Sequence, residues 1–139
     1  MNGLSMRNIL AAVLLAAGCC HVCAQTTTGD ETKGAEIKFN EVSHDFGQFP
    51  ESSPKVEYTF SYTNTGDKPL VINQAVASCG CTVAEYTKKP VQPGGKGEVK
   101  VTYNGEGRAL GHFKKIITVR TNGIVEIVRL AIEGEMTAD

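Results

Sequence analysis

Val56, Tyr58, Phe60 and Tyr62 alternate with Glu57, Thr59, Ser61 and Thr63. Successive side chains of an extended strand point to opposite faces, so this period of two makes one face apolar and the other polar. The apolar face has to be covered by a second layer. Val99, Val101 and Tyr103 repeat the pattern, as do Ile117 and Val119 within Phe113 to Thr121. Val128, Leu130 and Ile132 alternate with Arg129, Ala131 and Glu133 in the last such run.

Turn chemistry separates the runs. Asn64-Thr65-Gly66-Asp67 is a turn cluster in which Gly66 can take positive φ, and Pro69 then opens Leu70-Val71-Ile72 towards Ala77. Pro93 to Gly97 launches the next run, Asn104 to Gly111 is broken by glycines, and Gly123 marks the last turn. Short strands at this spacing predict an all-β fold, an antiparallel immunoglobulin-like β-sandwich of about seven strands. The domain is expected over residues 35–136, with 137–139 as a tail. The chain has no tryptophan, and the two cysteines in its body are too close to bridge two sheets. An antibody-type core is thereby excluded.

The N-terminus carries a different signal. Ile9 to Gly18 is nearly all apolar, follows Arg7 and precedes small residues, the pattern of a secretory signal peptide. It is shorter than the roughly 20 residues a bilayer span needs. Val22-Cys23-Ala24 before Gln25 suits ordinary cleavage, giving a signal peptide over 1–24 and a flexible polar leader over 25–34. Ala16-Ala17-Gly18-Cys19 resembles a lipobox, so an outer-membrane lipoprotein anchored at Cys19 is the alternative to soluble export into the periplasm or medium. The net charge is −1, and Lys88, Lys89, Arg108, Lys114, Lys115 and Arg120 are dispersed among acids. No nucleic-acid partner and no transmembrane helix is expected.

Removal of the signal would discard Cys19, Cys20 and Cys23 and leave only Cys79-Gly80-Cys81. In an extended strand their Cα atoms would lie roughly 6.5–7 Å apart, at the upper edge of disulfide geometry. Gly80 permits a bend that shortens the gap. A disulfide, two free thiols and a two-thiolate metal site all remain open. Export favours oxidation, although so small a ring restrains the unfolded chain only weakly. Two thiolates suit a soft ion such as Cu(I), with His44 or His112 as a third ligand. A closed zinc site needs four ligands. The thioredoxin arrangement has two intervening residues at a helix start, and neither is present.

Gly94-Gly95-Lys96-Gly97 lacks the frame and following helix of a phosphate-binding loop and reads as a turn. His44-Asp45 has no partnered nucleophile, and the same holds for His112. No catalytic residue and no cofactor is expected.

His44-Asp45-Phe46-Gly47, Tyr62 to Ile72, Ser78-Cys79-Gly80-Cys81-Thr82 and Pro93-Gly94-Gly95 occur in that order, followed by Gly107-Arg108, Gly111-His112-Phe113 and Thr121-Asn122. This succession resembles the exported bacterial "domain of unknown function 1573" family over about Glu36 to Glu135. The resemblance implies an immunoglobulin-like sandwich, related in architecture to the major-sperm-protein and pilus-chaperone group, with a shared role for Cys79 and Cys81. It implies no established activity. The expected function is a non-catalytic module that binds an envelope or secreted protein. Its candidate loop is Ser78, Gly80 and Thr82, shaped by the Cys79/Cys81 pair. A soft-metal-binding protein and a thiol-disulfide redox protein are the alternatives.

Overall fold

Each alternating run becomes a strand with its apolar residues turned inward. The computed structural model describes residues 34–139. The strands are β1 (Ile37–Phe39), β2 (Ser43–Pro50), β3 (Lys55–Asn64) and β4 (Ile72–Ala77), then β5 (Thr82–Tyr86), β6 (Lys96–Asn104), β7 (Gly111–Thr121) and β8 (Ile127–Thr137). Two four-stranded sheets form, in the orders β1-β3-β6-β5 and β2-β8-β7-β4. Val99, Val101, Ile117, Val119, Leu130 and Ile132 are fully buried between them. Burying such a side chain stabilises a fold by about 1.5–3 kcal/mol.

The sandwich is the one expected, with two differences. The described residues form eight strands rather than about seven, because those before Glu51 supply one strand to each sheet. The pairing is also not wholly antiparallel, since β2 runs parallel to β8. The chain leaves β1 beside β3 and crosses to the other sheet without reversing direction, which places β2 parallel to the final strand. Gly47 has φ 70° and donates its N–H to Asp45 Oδ1 at 2.8 Å. It lies at the register shift between Asp45 and Gln48, so His44-Asp45-Phe46-Gly47 encodes a bulge.

The expected signal peptide, Cys19, Cys20, Cys23 and nearly all of the expected leader lie outside the described residues. Gly34, the last leader residue, exchanges hydrogen bonds with Asp67: its N–H donates to Oδ1 at 2.6 Å, and its carbonyl accepts the Asp67 N–H at 3.0 Å. Among the described residues no helix is long and apolar enough to cross a membrane.

Asn64 organises one end of the sandwich. It is fully buried, and its amide nitrogen donates to the carbonyls of Lys68 (2.7 Å) and Val91 (2.9 Å). Its Oδ1 accepts the N–H groups of Gly66 (3.0 Å) and Glu36 (3.2 Å). Gly66 is needed for space rather than for positive φ, because a Cβ there would run into the Gly34 carbonyl oxygen and lie 2.6 Å from the Glu36 nitrogen. Gly94 does have positive φ, 81°, at the third position of a turn closed by Gly95 N–H donating to Gln92 O at 2.7 Å. Pro93 and Gly94 occupy the positions a type II turn favours, so this glycine run is a turn, as its sequence indicates. Asn122 ties the same end, accepting Val71 N–H at 2.8 Å and donating to Pro69 O at 3.2 Å.

Candidate functional site

The Cys79–Cys81 segment lies where the chain changes sheets. Ala77 is the last β4 residue paired with β7, opposite Ile117. Ser78 closes that ladder: its N–H donates to Ile116 O at 2.9 Å, and its Oγ accepts the Ile116 N–H at 3.2 Å. Cys81 already belongs to the other sheet, its carbonyl accepting the Asn104 N–H at 2.8 Å, and Thr82 pairs with Tyr103. Only Cys79 and Gly80 separate the two attachments. The passage therefore joins two edge strands, β4 and β5, along one side of the sandwich.

Cys79 and Cys81 are joined by a disulfide, with their Cα atoms 5.4 Å apart. This is shorter than the extended spacing because the chain turns here, with Thr82 N–H donating to Cys79 O at 3.3 Å. Cys81 and Thr82 are buried and Cys79 is half-buried. Cys81 N–H donates to Cys79 Sγ at 3.2 Å, and Cys81 Sγ lies 3.7 Å from Thr82 Oγ1. Gly80 is exposed at the tip, and its φ is not in the left-handed region. A Cβ added there would meet no described residue within 4 Å. Among the described residues, neither the backbone nor a neighbour requires glycine at this position.

The two histidines are placed elsewhere. His44 sits on β2, on the opposite side of the sandwich, stacked on the Tyr58 ring at 3.7 Å and edge-on to Phe46 at 4.8 Å. The Tyr58 hydroxyl donates to Glu41 Oε2 at 2.6 Å, and this bond to a carboxylate raises the phenol pKa. His112 is exposed on β7, with Nε2 3.3 Å from Glu133 Oε2. It stands four positions from Ile116, roughly 13 Å along the strand. Among the described residues no three His, Cys, Asp or Glu side chains gather as a metal site requires.

A surface feature escaped the sequence reading. Gln74, Val76 and Ser78 on the β4 side, with Ile116, Thr118 and Arg120 on β7, line a groove of about 400 Å³ on the outer face of their sheet. Val76 is 48% exposed, and Val83 on β5 is 58% exposed. The two valines stand just before and just after the disulfide turn, each on an edge strand.

Comparison with known proteins agrees with this architecture. A protein of unknown function from Porphyromonas gingivalis W83 superposes with TM-score 0.64 at 14% identity, over 80% of this chain and 51% of that one. This chain thus spans about half the length of that protein. The ASH/PapD-like domain 7 of human CEP192 gives 0.57 at 13% identity, over 88% and 98%. The periplasmic chaperone SfaE gives 0.51 at 11% identity, over 75% and 58%. At these identities the likeness is one of fold. No curated protein matches the chain in sequence. The family model described as "Protein of unknown function (DUF1573)" matches residues 37–136, from the first residue of β1 into the end of β8. The chain belongs to the DUF1573 family.

Proposed function

We propose that this is an exported, non-catalytic binding domain that captures an extended segment of an envelope or secreted protein along its β4–β5 side. One observation carries the reading: a disulfide-tied turn joins two edge strands that have no outer partner strand among the described residues, and an exposed valine stands on each edge. Unpaired edge strands are the natural acceptors for strand addition, in which main-chain hydrogen bonds give affinity and alternate side chains give specificity. Gly80 fits the same role, since a bare turn tip lets another chain approach closely. In this reading the disulfide holds the corner in one shape.

The alternatives draw less support from the geometry. A soft-metal role would fall to the two sulfurs of a reduced pair, since His44 and His112 lie elsewhere. A thiol-disulfide enzyme would need a base beside the pair, and neither histidine is positioned to serve.

The test is site-specific photo-crosslinking in the native host. A photoreactive residue at Gln74 or Glu85, on the two edges, should yield discrete protein adducts. One at Thr59, on the outer face of β3, should not. Equal adducts from all three positions, or none from the edge positions, would contradict the proposal.

A further inference from the structure

The groove beside β4 has a chemical bias that identifies what it would take. This step rests on the reading that a partner strand adds to the β4–β5 side. We infer that the segment pairing with β4 is an acidic peptide with alternating apolar residues, read by Arg120 within the positive field that Arg129 reinforces.

Register supplies the argument. On the outer face of the sheet, Gln74 of β4 pairs with Arg120 of β7, which pairs with Ile127 of β8. In the next outward row Val76 pairs with Thr118, which pairs with Arg129. The third row, at the turn, sets Ser78 beside Ile116. A strand added to β4 would continue these rows, so its outward side chains would lie alongside Gln74, Val76 and Ser78. Neighbouring residues in such rows have Cβ atoms about 4.5–5.5 Å apart, and diagonal neighbours remain within reach of long side chains. An apolar residue would rest against Val76 and the Ile116 side of the groove. A Glu or Asp in the outward position beside Gln74 would lie two strands, about 9–10 Å, from Arg120, within reach of that long side chain across Gln74. Arg129, three strands in, adds to the positive field without touching it.

The sign of the charge follows from what surrounds the arginines. The acids of this face lie towards its other end, where Glu133 is paired with His112 and Glu135 accepts the Gln48 side chain at 3.0 Å. Among the described residues neither Arg120 nor Arg129 makes an ion pair. Glu126 borders a polar depression that Gln74 and Arg120 also line, just past their row, but it is not ion-paired to Arg120. The three rows that continue from β4 therefore hold two cations and no acid, with Glu126 just past the first of them. The β5 edge has no such bias. Glu85 stands opposite Lys100, Lys100 is bonded to Glu57 at 3.2 Å, and Lys88 covers the Tyr86 ring. Opposite charge across an interface sets partner preference and orientation more than raw affinity, and it is screened by salt.

The test uses three synthetic peptides of one length, alternating Val with Glu, Val with Lys and Val with Ser, titrated into the isotope-labelled protein. The Val–Glu peptide should shift the amide resonances of Gln74 to Ala77 and bind at least tenfold more tightly than the Val–Lys peptide at low salt. Arg120→Glu with Arg129→Glu should reverse that order, and the double alanine variant should abolish it. If all three peptides bind β4 equally, the acidic preference is overturned while strand addition at this edge stands. If the peptides bind only β5, or the β1–β2 side, the assignment to β4 is overturned. If no peptide moves any edge amide of the folded protein, the preference and the underlying binding reading both fall.

Discussion

The Asn64 end and the Cys79–Cys81 corner are both fixed by short polar segments, yet by opposite means. At the Asn64 end a fully buried amide serves four backbone groups from three stretches of chain, and the conformation is determined internally. At the corner a covalent bond spans two residues at a half-exposed turn, and hydrogen bonds hold the flanks rather than the tip. The first region needs its sequence in order to fold. The second has features that folding does not use: a glycine without steric cause, exposed valines and two edges unpaired among the described residues. Sequence landmarks that look alike on the page thus divide into structural and candidate functional ones only when each is asked what it satisfies.

The comparison breaks most readily at Asn64. Asn64→Ala would leave the Lys68 carbonyl and the N–H groups of Glu36 and Gly66 without their partner in part-buried surroundings, while the Val91 carbonyl keeps the Leu70 N–H. Orphaning such groups costs about 1–3 kcal/mol each when buried, so a loss of about 3 kcal/mol in urea unfolding is expected. A loss under 1 kcal/mol would remove the contrast. Replacing both cysteines, Cys79→Ser with Cys81→Ser, should cost less, about 1.5 kcal/mol, because so short a ring removes little entropy from the unfolded chain. A cost equal to that of Asn64→Ala would make the corner a staple of the fold. Gly80→Ala should change stability by less than about 0.5 kcal/mol, as the site is open. A larger loss would show an internal demand for glycine.

The sheet-forming part of this molecule was largely legible. Val56 to Tyr62, Val99 to Tyr103 and Val128 to Ile132 display the burial alternation of β3, β6 and β8 directly, because each strand faces water on one side. The region of β1 and β2 was not, since Phe46 and Phe49 fall out of a period of two across the Gly47 bulge. The parallel pairing of β2 with β8 joins residues about 88 positions apart and leaves no local trace. The cysteine pair announced itself through its chemistry and spacing. Its position at a change of sheets did not, because that depends on which strands become edges. Arg120 looked like one of several dispersed charges and Arg129 like a polar residue of an alternating run, and only the β7–β8 register sets them in adjoining rows.

The central claim is that the Cys79–Cys81 bond is a local tie shaping a binding corner, neither a staple of the fold nor a reactive centre. Amide hydrogen exchange of the oxidised protein against the Cys79→Ser, Cys81→Ser variant tests it most directly. Faster exchange confined to Ala77 to Thr82 and the adjoining ends of β4 and β5, with the Asn64 end unchanged, is the predicted result. Loss of protection spreading to β3 and β8, or no change at the corner, would contradict it.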